Sequence, residues 1–188
     1  NLNKTGYFSK KDVELFDNAS NKIAKHGWLD PDVWRKKGDI EKSWALRHVG
    51  EDLSKIYHTP NPPLLVFDKN KEGELGHYNP DEWEIKMFKN EKSKMGEKLF
   101  GEDPREALNV YCHEFRHSYQ EEQINAYEKG FSIDESKEKV AKWEGNWKNY
   151  IEAPDDKLAE IDYKRYKEEY EKYKKQPIEK DADRFADL

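Results

Sequence analysis

Tyr111-Cys112-His113-Glu114-Phe115-Arg116-His117 carries two imidazoles four residues apart, with a carboxylate directly after the first. On an α-helix this spacing projects His113 and His117 from one face with their rings one turn apart, so both reach a single cation. Zinc takes imidazole nitrogens at about 2.0–2.1 Å, and a carboxylate one residue along reaches a water on the metal without occupying the metal. The pattern points to His113 and His117 as ligands and to Glu114 as the base that takes a proton from that water. A helix with two exposed histidines is the plainer alternative. Two contexts separate the readings: a helix around the motif and a third ligand.

Asp103-Pro104 offers an N-cap and a proline at the first helical position, and Glu106 stands three after Asp103 as in a capping box. Leu108, Tyr111, Cys112, Phe115 and Tyr119 form an apolar stripe beside the histidines, which predicts a helix over 103–129 ended by Gly130. A third ligand is sought in Pro177-Ile178-Glu179-Lys180-Asp181-Ala182-Asp183-Arg184-Phe185-Ala186. With Pro177 opening a helix, Glu179 and Asp183 share one face while Ile178, Ala182, Phe185 and Ala186 take the other. Glu179 is expected to ligate the metal, and Asp183 to accept from the second ring nitrogen of a ligand histidine. Asp181, Asp183 and Glu128 compete for the ligand role, and an acidic first turn that merely complements the helix dipole is the plain alternative. Cys112 adjoins His113 but lies about 100° round the helix from it, so it reads as core.

On these residues the chain resembles the gluzincin branch of the zinc metallopeptidases, in which H-E-x-x-H is followed by a helix bearing E-x-x-A-D or a close variant, here Glu179-Lys180-Asp181-Ala182-Asp183. It does not resemble a metzincin, because Gln120 stands where that pattern has glycine and Gln123 where it has its third histidine. Glu179, Ala182, Phe185 and Ala186 also resemble the E-x-x-A-x-x-F-A stretch of ImmA/IrrE-type peptidases. The chain as a whole looks most like the metallopeptidase toxin domains at the C-termini of bacterial polymorphic toxins. The resemblance implies one zinc ion per chain and hydrolysis of a protein or peptide substrate. It also implies delivery by a larger carrier into the cytoplasm of a target cell, and a cognate immunity protein in the producer. An ImmA/IrrE-like regulatory peptidase, a non-catalytic metal-stabilised binding module, and a non-peptidase toxin or interaction domain that uses its aromatic helical seam, with H-E-x-x-H incidental, are the alternatives.

Composition bounds these readings. The 188 residues suit one domain, and although 39% are charged, six Trp, eleven Tyr and eight Phe supply bulky core material. A formal net charge of −6 gives no general attraction to phosphate backbones, so nucleic acid is a poor partner. A single cysteine permits no intrachain disulfide, which fits a reducing compartment. No apolar run is long enough to span a membrane, and nothing reads as a signal peptide. The chain opens Asn1-Leu2-Asn3 without Met, which suggests a piece of a longer protein.

The expected fold is α+β and zincin-like, helix-rich with a small, mostly antiparallel sheet beside the motif helix. Residues 1–58 read as helices: one from Ser9 to about Lys25, a short one from Asp32 to Lys37, and one from Asp39 to Tyr57 carrying Ile40, Trp44, Leu46, Val49, Leu53, Ile56 and Tyr57, with Gly50 a modest cost. Residues 64–88 read as three strands, Leu64–Phe67, Leu75–Tyr78 and Trp83–Phe88, the edge strand bordering the cleft. His77 and Tyr78 read as strand residues before donors to a transition state. Asn90–Gly101 reads as a charged loop or short helix, and Ser132–Tyr150 as a helix with Val140, Trp143 and Trp147 on one side. Residues 155–188 read as the C-terminal helices. There Ala159, Tyr163, Tyr166, Tyr170 and Tyr173 predict one long helix with a packing seam.

Overall fold

The computed structural model describes residues 10–59, 61–69, 75–89 and 103–187, so the expected loop over 90–101 lies outside the described residues. The architecture is α+β, helix-rich with a small three-stranded mixed sheet. Helices α1 (Lys10–Ile23), α2 (Pro31–Arg35) and α3 (Asp39–Tyr57) precede strands β1 (Leu64–Lys69), β2 (Gly76–Asn79) and β3 (Glu84–Lys89). Then follow α4 (Pro104–Glu128), α5 (Lys137–Trp147), α6 (Asp156–Ile161), α7 (Tyr163–Lys174) and α8 (Pro177–Ala186).

The sheet order is β1-β3-β2, with β3 parallel to β1 and antiparallel to β2. The expected mostly antiparallel sheet is thus evenly mixed, because β3 returns from the β2 hairpin into the place between the two earlier strands. Alternation along β3 buries Ile85 and Met87 on the side that faces the helices.

Helix α4 is the hub. It packs on α8, α5, α3, β2 and β3, and its apolar stripe buries Ala107, Tyr111, Cys112, Phe115 and Tyr119. Asp103 caps it, accepting from the Arg105 N–H at 2.9 Å. Against the stripe lie Phe16 of α1, Leu46 and Leu53 of α3, Trp143 of α5 and Phe185 of α8, all fully buried and in one continuous core.

Three expectations about helices change. Ile40 and Trp44, placed on the packed face of α3, are exposed at 76% and 62%, and with Trp28 and Val33 they line an open apolar cavity. The helix expected from Ser132 begins only at Lys137, where Ser136 caps it through the Lys139 N–H. The single long helix divides at Asp162, whose φ of −147° and ψ of 84° end α6 and whose carboxylate caps α7 through the Arg165 N–H. An N-capping carboxylate competes with helix continuation, and here it wins. The tyrosine seam of α7 buries no residue fully; its rings stand 5.9–6.5 Å apart, exposed at Tyr163 and Tyr170 and turned inward at Tyr173, which packs on Tyr150.

Candidate metal centre

His113 and His117 face α8, whose opening turn aims Glu179 back at them. Their Nε2 atoms are 3.1 Å apart; His113 Nε2 lies 3.3 Å from Glu179 Oε2, and His117 Nε2 lies 3.4 Å from Glu179 Oε1. One ligand atom from each of the three residues lies within 4.8 Å of the other two, close enough to share one cation, with the two Glu179 oxygens each turned to a different imidazole. Glu179 Oε2 is buried with no partner but the His113 ring, and two imidazole nitrogens directed at each other are poorly matched without a cation or proton between them. Among the described residues, His113, His117 and Glu179 therefore form a group that can hold a metal ion.

The outer nitrogens are occupied. His113 Nδ1 lies 3.2 Å from Asp183 Oδ1, the role expected for Asp183 one turn after Glu179. His117 Nδ1 lies 2.9 Å from Gln120 Oε1, and the Gln120 amide donates to Ile178 O at 3.1 Å and to Asp181 Oδ2 at 3.0 Å. Because the amide nitrogen is spent on α8, Gln120 Oε1 must accept, which places the His117 proton on Nδ1 and leaves Nε2 free to ligate.

The electrostatics favour positive charge. Burial opposes protonation of His113, yet hydrogen bonds to Asp183 and Glu179 and the nearby Glu114 charge outweigh it and push the ring up to about 10. Burial likewise opposes ionisation of Glu179, but His117 and His113 pull it down to about 2. Glu114 goes the other way: burial raises it, only partly offset by the two histidines. It lies under β2, where a Cβ on Gly76 would meet Glu114 Cγ at 2.9 Å and Val110 Cγ1 at 2.7 Å, so only glycine lets the edge strand come this close. His77 on that strand is exposed, and its charge reaches Glu114; Tyr78 is buried and donates its hydroxyl to Glu121.

The competing ligands are committed elsewhere. Asp181 is fully buried behind α4, 2.7 Å from Arg116 Nε and 3.4 Å from Lys139 Nζ. Glu128 pairs with Lys148 at 3.2 Å on the surface. Four site residues escaped the sequence reading: Gln120, Arg116, Tyr173, whose hydroxyl bonds to Glu179, and Tyr150, whose hydroxyl donates to Glu179 Oε1 at 2.7 Å. For Gln120 a signal existed, since it stands three after His117 on the same helix. Comparison with protein-family models, with curated proteins and with solved structures finds no significant match.

Proposed function

We propose that this chain is a zinc-dependent peptidase of zincin type, in which His113, His117 and Glu179 hold the metal and Glu114 is the general base. The observation that carries the reading is a buried carboxylate, Glu114, standing beside a convergent face of two imidazoles and one carboxylate. Three protein ligands with a fourth position left open is the arrangement of catalytic zinc, whereas closed structural sites use four, commonly with Cys. Cys112 is buried in the core behind the ligand face.

A bound zinc ion supplies the Lewis acidity that brings the pKa of water from 15.7 towards about 7. Glu114, made more basic by burial, takes the proton as the water oxygen adds to the scissile carbonyl carbon, and hands it to the amine nitrogen as the C–N bond breaks. One carboxyl group thus serves both steps. β2 is the edge strand of the sheet that lies beside α4, where an extended peptide substrate would add through main-chain hydrogen bonds.

Elemental analysis of protein purified without chelator tests the metal; absence of any stoichiometric ion, with no uptake on titration, refutes the site. The toxin role implied by the resemblance belongs to the same proposal. Expression of residues 1–188 in bacterial cytoplasm should arrest growth while Glu114→Gln does not; equal growth of both favours a regulatory peptidase.

A further inference from the structure

The two oxygens of Glu179 are not equivalent. Oε1 accepts the Tyr150 hydroxyl at 2.7 Å as well as lying 3.4 Å from His117 Nε2, while Oε2 is buried with only the His113 ring beside it, 3.3 Å from Nε2. We propose that Tyr150 is a positioning residue that restricts Glu179 to one-oxygen ligation, so that a coordination position stays open for water. The inference rests on the metal reading above. A carboxylate with both oxygens free can close on a cation through both and fill the position that water needs. A phenol donor on Oε1 takes one of its two lone pairs and lowers its basicity, which leaves Oε2 the stronger ligand atom.

The phenol is not placed by chance packing. The residue after it, Ile151, donates its N–H to Gln176 Oε1 at 2.8 Å and accepts from Gln176 Nε2 at 2.8 Å. Gln176 is the N-cap residue of α8, three before Glu179. Asn146 ties the same corner, donating to Gln176 Oε1 at 2.9 Å and accepting from the Ile178 N–H at 3.2 Å. Tyr150 and Glu179 are therefore held from a common anchor, and displacement of one relative to the other requires breaking that corner. Tyr173 braces the phenol edge-on, with ring centroids 6.4 Å apart.

The test replaces zinc by cobalt(II) in chelator-stripped protein and reads the visible absorption, which is severalfold stronger for four-coordinate than for five-coordinate cobalt. Tyr150→Phe keeps the ring of a residue that is 43% exposed, so the fold is retained. The parent should show intense bands, and Tyr150→Phe should bind one cobalt per chain with intensity reduced about twofold or more. Equal intensity in both overturns this inference and leaves the metal reading intact. Loss of cobalt from Tyr150→Phe also overturns it, since the phenol would then be needed for binding itself. A parent that takes up no cobalt overturns the metal reading and this inference with it.

Discussion

Glu114 and Glu179 are two carboxylates whose surroundings drive them apart, one made harder to ionise by burial and the other held ionised by His117 and His113. Such a split suits the proposed roles, Glu114 as base and Glu179 as ligand. Glu114→Gln should keep metal content while abolishing hydrolysis, because an amide keeps the shape and cannot take the proton; cleavage at the parent rate would remove Glu114 from the mechanism. Glu179→Ala should weaken metal binding more than Asp183→Ala, for which a loss of about 10–100-fold is expected; the reverse order would move the ligand to Asp183. The same charges set a pH dependence in chelated protein. His113 has its folded value raised from 6.5 to about 10, so its stabilisation is complete below 6.5 and is lost as pH rises towards 10. Glu179 is lowered from 4.5 to about 2, so its stabilisation is complete above 4.5 and is lost as pH falls towards 2. Thermal melts without metal should therefore plateau between these limits and decline on both sides, and added zinc should restore the alkaline side.

At the scale of elements, the helix bearing H-E-x-x-H and the helix bearing Glu179 were legible because each opens on a proline and carries its own periodicity and face. Their meeting at Glu179 was legible for the same reason: spacing fixes which side chains share a face. What was not legible depends on neighbours remote in sequence. Nothing local distinguishes Ile40 and Trp44 from the buried Leu46 and Val49, since all lie on an apolar helix and only the partner decides which face is covered. Arg116 and Tyr150 acquire their roles from Asp181 and Glu179, far along the chain. Gly50 is a further case. It read as a mild defect in α3, but a Cβ there would stand 2.0 Å from the Tyr111 hydroxyl and 3.0 Å from Pro62 Cβ, so the glycine is what lets α3 cross α4. Gly50→Ala, stabilising in a free helix, should here cost about 1–3 kcal/mol in denaturant titration, and an unchanged midpoint would show that Tyr111 swings aside freely.

Across the whole molecule, Arg116 joins the parts. Fully buried, it donates from Nε to Asp181 at 2.7 Å and from Nη2 to Glu135 at 3.1 Å, and its guanidinium lies 4.6–5.7 Å from the ring centroids of Tyr119, Phe185, Trp143, Tyr57 and Phe16. Helices α1, α3, α4, α5 and α8 thus converge on one cation. Arg116→Met should destabilise by about 3–5 kcal/mol, because Asp181 would be left buried with only Lys139 and the Gln120 amide to offset its charge; Asp181→Leu in the same chain should recover part of that loss, and a purely additive double variant would deny the coupling.

The distance along the chain between the two halves of the metal site has a consequence in time. His117 leaves the ribosome 62 residues before Glu179, a delay of roughly 3–12 seconds at about 5–20 residues per second. During that interval the nascent chain has the base and both imidazoles but no carboxylate to complete the ligand face, and Asp181 has not yet reached Arg116. The candidate ligand face is therefore completed as a single late event, when α8 docks, and until then a metal ion would find only the two imidazoles.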